Sequence, residues 1–221
     1  MNKDISVVLL GAGKSKRFGA NKLKQNVKIR NKRVIDYSVD FFRKHFNASK
    51  KYFVITKKIK LKTLTENEHI LYGSTSRLKS LNNCLNYIVR NNLQTKYLLV
   101  HDVARPVLNL ADIKKIIREI HKTVDGSTLG YPLTNAVKEV KNNAIYNNIH
   151  KSNLWSTFTP QIFKMEKLYH SVKTCLDEKY DVDDDIEALL LNSLKCSMIM
   201  SSPTNIKVTY KSDINYIKKL L

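Results

Sequence analysis

Apolar and polar positions alternate along this chain in two different rhythms. Residues 5–10 form an apolar run that predicts a buried strand. Residues 33–45 put Val34, Tyr37, Ser38, Phe41 and Phe42 on or near one face at helical spacing. Strands are predicted over 51–56 and, briefly, 70–72. An amphipathic helix is predicted over 76–90, where Leu78, Leu81, Leu85 and Ile88 recur at helical spacing. A strand over 97–101 and a helix over 112–122, with Asp112 near its start, follow. This alternation implies an α/β fold: a mostly parallel sheet with helices on both faces.

The rhythm changes after Gly126. Residues 127–133 read as a strand ending around Pro132. Residues 135–149 alternate weakly about Asn142-Asn143-Ala144, a turn-rich centre that predicts a protruding β-hairpin arm. The chain returns to the body at Thr159-Pro160-Gln161. Helices are expected over 166–176, 185–191 and 212–221, and a strand over 196–200. With no internal repeat or disordered linker, residues 1–221 read as one domain with an arm inserted at about 134–154.

A length of 221 residues suits such a domain. Cys84, Cys175 and Cys196 are odd in number and widely spaced, which fits no disulfide or zinc pattern and suggests a reducing compartment. A strand begins almost at once, and no apolar run approaches the roughly 18 residues of a membrane span. A cytoplasmic protein without a membrane partner is expected. The formal net charge of +20 favours anionic partners. Its excess is mostly scattered Lys among many Asn and Ile, with no Arg-rich tail, so nucleic acid is discounted as the main partner.

Four segments carry candidate chemistry. In the first, an apolar run stops at Gly11-Ala12-Gly13, followed by Arg17 and Lys24. Small residues let backbone N–H groups close on phosphate oxygens, and the cations can hold a triphosphate. An ordinary strand-to-helix turn with solvated lysines is the competing reading. The segment lacks the Gly-Lys-Ser/Thr ending of a Walker A loop, and Ser15 replaces a glycine that a dinucleotide fingerprint needs. In the second, Gly73-Ser74-Thr75-Ser76 opens a helix, so its N–H groups can face a ligand, and Ser80 could donate to a base carbonyl. A plain capped helix would look the same. In the third, His101-Asp102-Val103-Ala104-Arg105-Pro106 follows an apolar strand. An acid there needs a cation, hydroxyl or metal, so Asp102 suits a ribose or magnesium; it could also simply pair with Arg105. His101 reads as a packed histidine. In the fourth, Lys207 alternates with Ile206 and Val208 and so points away from them, either into a cleft or into solvent.

Taken together, these segments resemble the 2-C-methyl-D-erythritol 4-phosphate cytidylyltransferase family of the non-mevalonate isoprenoid pathway. The resemblance rests on the turn at residues 10–19 with Arg17, on Lys24-Gln25, and on Gly73 with Arg77 and Ser80. It continues through His101-Asp102, Ala104-Arg105-Pro106, Leu154-Trp155, Thr159-Pro160-Gln161 with Phe163, and Asn205-Ile206-Lys207-Val208-Thr209. It spans nearly the whole chain. It implies a Rossmann-like nucleotidyltransferase sheet and a homodimer in which the arm completes the neighbouring site. It also implies transfer of CMP from CTP to an alcohol phosphate, with Mg2+ as cofactor. By this resemblance Arg17, Lys24 and Lys207 stabilise the transition state, and Gly11, Ala12 and Gly13 cradle the triphosphate. Gly73 and Ser80 read cytosine, Asp102 sits beside ribose and metal, and Arg105 belongs to the nucleotide site.

The acceptor half departs from the family pattern. Asn135-Ala136 replaces Asp-Thr, with Lys138 retained. His150-Lys151 replaces Asp-Arg, and Asp183 replaces a threonine. Ala136, Lys151, Thr159 and Asp183 are the expected acceptor-site positions. Lys151 keeps a charge but not the bidentate fork, and Asp183 would repel a phosphate unless it caps the following helix. Gly11, Ser15 and Ser74 replace Ala, Gly and Gly. Two alternatives therefore stand beside methylerythritol phosphate: another acceptor such as ribitol 5-phosphate, or a non-catalytic nucleotide- or nucleic-acid-binding relative.

Overall fold

The computed structural model describes residues 4–19, 22–47, 49–62 and 64–221. Its body is a seven-stranded sheet. In chain order the elements are β1 (Ile5–Gly11), β2 (Lys28–Ile29), β3 (Lys32–Arg33), α1 (Val34–His45), β4 (Lys51–Ile55), β5 (Glu68–Tyr72), α2 (Arg77–Arg90), β6 (Tyr97–Asp102) and α3 (Leu110–Ile120). There follow β7 (Gly126–Pro132), β8 (Val137–Lys141), β9 (Ala144–Ile149), β10 (Trp155–Lys164), α4 (Met165–Asp177), α5 (Asp185–Leu190), β11 (Cys196–Met200) and α6 (Asp213–Leu220). The sheet order is β11-β7-β10-β6-β1-β4-β5, and β10 alone runs antiparallel to its neighbours.

Strand pleating explains how one apolar run serves two cores. Ile5, Val7 and Leu9 of β1 pack with α1 and α3 on one face, while Val8 and Leu10 pack with α2, α4 and α5 on the other. The expected helices on both faces are therefore present. A third cluster joins Phe18, Ile29, Val34, Val208 and Ile217, so α6 and the segment before it cover the region beyond β1.

β10 departs from the residue pattern, which implies only a return to the body. Pro160 argues against a strand because it cannot donate to a ladder. The sheet accommodates it at an interruption: the β10–β7 register shifts between Phe158 and Gln161. The short β2–β3 hairpin is a second element that the pattern does not predict. β5 begins earlier than predicted, at Glu68, which pairs with Lys51 of β4 and whose buried carboxylate is gripped at 2.8 Å through both oxygens by Arg43. Helix α3 begins at Leu110, and Asn109 rather than Asp112 caps it, accepting the Ala111 N–H at 2.8 Å.

The arm is a two-stranded sheet of its own, β8 paired with β9. Asn142 and Asn143 both take left-handed φ angles, 51° and 63°, as a tight hairpin turn requires. Val140, Ile145 and Tyr146 on this arm are more than half exposed.

Candidate active site

The carboxyl ends of β1, β4, β5 and β6 lie along one edge of the sheet, as the registers Leu10–Asp102, Gly11–Ile55 and Ile55–Tyr72 require. A cavity of about 380 Å³ opens there. Ligands bind at this edge of open α/β sheets.

The loop after β1 is held from beneath by Gln25, which is almost fully buried. Its Nε2 donates to the carbonyls of Gly11 and Gly13 at 2.9 and 3.0 Å, and its Oε1 accepts from the Ser15 hydroxyl at 3.2 Å. The same hydroxyl accepts the Lys24 N–H at 3.1 Å. Ser15 has φ 57°, a left-handed backbone that suits the glycine of the family pattern. Gly11 differs from expectation. It ends β1 inside the sheet and is not among the cavity-lining residues; an added Cβ would sit 3.0 Å from Val103 and 3.2 Å from Ile55. Ala12 and Gly13 do line the cavity.

The second loop meets the first at Gly73, where an added Cβ would fall 2.0 Å from the Ala12 Cβ. Ser76 caps α2 by accepting the Lys79 N–H at 3.1 Å. Ser80 is buried, accepts the Ser74 N–H at 2.9 Å and donates to the Ser76 carbonyl at 2.7 Å. Its hydroxyl thus ties the loop to the first turn of α2, while Ser80 still lines the cavity.

Asp102 ends β6 and is enclosed by cations. Arg77 Nε donates to its Oδ1 at 3.0 Å and Lys207 Nζ to its Oδ2 at 2.5 Å. Burial alone would raise the Asp102 pKa, but Arg77 and Lys207 hold it well below the usual carboxylate range. The alternative of an Asp102–Arg105 side-chain pair is not what forms. Arg105 instead donates to the Asn205 carbonyl at 2.8 Å and lies 5.6 Å from the Phe158 ring. Lys207 is aimed by its neighbours: Asn205 Nδ2 donates to the Thr159 carbonyl at 3.0 Å, and the Val208 N–H to the Ala104 carbonyl at 2.8 Å. Lys24 joins it, donating to the Val208 carbonyl at 2.6 Å. Burial first, and then Lys207, lower the Lys24 pKa to about 8. Arg17 lines the same cavity from the exposed side.

Seven predicted residues thus share one cavity: Ala12, Gly13, Arg17, Lys24, Ser80, Asp102 and Lys207. Gly11, Gly73 and Arg105 are not among its lining residues. Thr159 is buried rather than open to a phosphate. Its hydroxyl accepts the Asp102 N–H at 3.0 Å and lies 3.2 Å from His101 Nδ1. His101 is fully buried, and burial pushes its pKa down to about 3. Ala136 and Lys151 are exposed at the base of the arm, and Lys151 Nζ donates to the Thr134 carbonyl. Asp183 is exposed too. The residue capping α5 is Asp184, which accepts the Glu187 N–H at 2.9 Å.

The principal partner of Asp102 escapes sequence reasoning. Arg77 is the first residue of α2, where the helix dipole disfavours a cation. That cost is offset by acidic partners from elsewhere in the fold. Arg77 has two: besides Asp102 it grips Asp185 with NH1 at 2.5 Å and NH2 at 2.9 Å.

A cation-rich cavity at the carboxyl edge of a mostly parallel sheet suits a nucleotide-handling enzyme, and a family match makes that enzyme a nucleotidyltransferase. Residues 5–221 match the family described as IspD, 2-C-methyl-D-erythritol 4-phosphate cytidylyltransferase, and the chain belongs to that family. The 2-C-methyl-D-erythritol 4-phosphate cytidylyltransferase of Wigglesworthia glossinidia brevipalpis is 30% identical over 218 residues, covering 96% of this chain and 93% of the relative. That of Haemophilus influenzae strain 86-028NP is 29% identical, covering 97% and 95%. The crystal structure of the Francisella tularensis enzyme superposes with a TM-score of 0.87 at 23% identity, covering 99% of this chain and 100% of that one.

Proposed function

We propose that this chain transfers CMP from CTP to 2-C-methyl-D-erythritol 4-phosphate. An acceptor phosphate oxygen attacks the α-phosphorus, the bond to the bridging oxygen breaks, and pyrophosphate leaves. Such a reaction asks little covalent chemistry of the protein; it needs in-line positioning and positive charge where negative charge gathers. The observation that carries this reading is the convergence of Arg17, Lys24 and Lys207 on a single cavity. Ala12 and Gly13 approach the triphosphate through their backbone, and the loop after Gly73 faces the base.

Asp102 is the one carboxylate among the described residues that line the cavity. That fits Mg2+, which arrives largely on phosphate oxygens and needs few protein ligands. Asp102 would hold the ion, with Lys207 beside the same carboxylate. When bound, the ion neutralises phosphate charge.

The arm supports a homodimer reading. Ala136 and Lys151 do not line the cavity of their own chain, and the arm's exposed Val140, Ile145 and Tyr146 suit burial against a second copy. Lys151 would then meet the acceptor phosphate of the neighbouring site as a point charge. Cys84, Cys175 and Cys196 are free thiols, in keeping with a cytoplasmic protein. Among the described residues no helix is long and apolar enough to cross a membrane.

Family membership favours methylerythritol phosphate over ribitol 5-phosphate as acceptor. Pyrophosphate release from CTP and Mg2+ with each of the two acceptors tests this. Turnover is expected with methylerythritol phosphate. Turnover with ribitol 5-phosphate alone reassigns the acceptor, and silence with both removes the enzymatic reading.

A further inference from the structure

Four charged side chains from distant parts of the chain stand in a row: Asp185, Arg77, Asp102 and Lys207. Three of them line the cavity, and Asp185 does not. The Asp185 side chain has no exposed surface, and both its oxygens face the Arg77 fork. It begins α5, a place fixed by Asp184, which caps that helix and accepts from Gln161 Nε2 at 2.8 Å.

We propose that Asp185 is a positioning residue of the reaction, fixing the Asp102 carboxylate in the cavity through the Arg77 guanidinium. The proposal rests on the cytidylyltransferase reading and adds a residue to its machinery. Arg77 presents three of its donors to two acids. Asp185 takes the terminal pair bidentately, which orients the guanidinium plane and leaves Nε for Asp102 Oδ1. With Oδ1 held, Oδ2 is turned toward Lys207 and the cavity. Without the charge of Asp185, the full fork of Arg77 becomes available to Asp102. Both Asp102 oxygens would then be drawn out of the cavity, away from Lys207.

The test is a double-mutant cycle in the full chain, assayed with CTP, Mg2+ and methylerythritol phosphate. Asp185→Asn keeps the size of the side chain and removes its charge. It is expected to lower kcat on the order of 10- to 100-fold, as small misplacements of reacting groups do, with KM for CTP changed by less than about threefold. In an Asp102→Asn background the same substitution is expected to lower kcat by less than about threefold more, since its effect passes through Asp102. Wild-type kcat in Asp185→Asn overturns the proposal, and so does a loss that multiplies fully with that of Asp102→Asn. If Asp185→Asn does not fold, Asp185→Ser, which removes the charge in a smaller side chain, must show the same kcat loss and the same non-additivity; wild-type kcat there overturns the proposal. Inactivity of the wild-type chain would sink the parent reading instead, so the two failures are distinct.

Discussion

A Cβ added at Gly73 would lie 2.0 Å from the Cβ of Ala12, so the two loops that flank the cavity touch where only a hydrogen fits. Gly73→Ala must push them apart. The expected cost is about 1–3 kcal/mol of stability, typical of forced overpacking. A rise in KM for CTP is expected with it, because Ala12 lines the cavity and its loop moves with it. Denaturant unfolding and CTP saturation curves check both.

Gln25 and Ser15 brace the loop after β1 from inside. Gln25→Ala leaves two carbonyls, those of Gly11 and Gly13, without their side-chain donor. A loss of roughly 1–3 kcal/mol is expected. At position 15 the order of variants is informative. Ser15→Ala loses the hydroxyl yet keeps a Cβ at φ 57°, whereas Ser15→Gly loses the hydroxyl and relieves the backbone. Urea midpoints should place Ala below Gly; the reverse order would remove the backbone argument.

Lys24 gives the free enzyme a titration. Its pKa of about 8 means the ammonium is present below that pH and lost above it. Because triphosphate binding wants the charged form, kcat/KM for CTP should break downward as pH rises through about 8. Lys24→Arg, whatever its residual rate, should lack this break, since a guanidinium stays charged.

His101 makes stability fall in acid. Its folded pKa of about 3 lies below its ordinary 6.5, so between these values the unfolded chain binds a proton that the folded chain refuses. That contribution is complete above pH 6.5 and is lost as pH falls toward 3. Urea midpoints from about pH 7 to about pH 4 should decline in the wild type and decline less in His101→Asn.

Much of this architecture is legible in the order of residues alone. Strand β1, helix α2 and the arm announce themselves through residue rhythm, and Asn142-Asn143 marks the turn. Strand β10 does not, because Pro160 hides a strand whose ladder is interrupted around it. In the site, Lys24, Lys207 and Asp102 can be named from glycine-bearing turns, strand ends and the family resemblance. Their mutual arrangement cannot: the Lys207–Asp102 contact spans 105 positions and is set by Asn205 and Val208. Asp185 is illegible as a site residue because its link to the cavity runs through a buried guanidinium contact.

The most direct measurement is steady-state pyrophosphate release from CTP and methylerythritol phosphate by the wild-type chain and by Lys207→Ala. The convergence of cations on one cavity predicts wild-type turnover and a loss of about a hundredfold or more in kcat for the variant, the scale of a missing transition-state donor. A Lys207→Ala rate equal to wild type would contradict it.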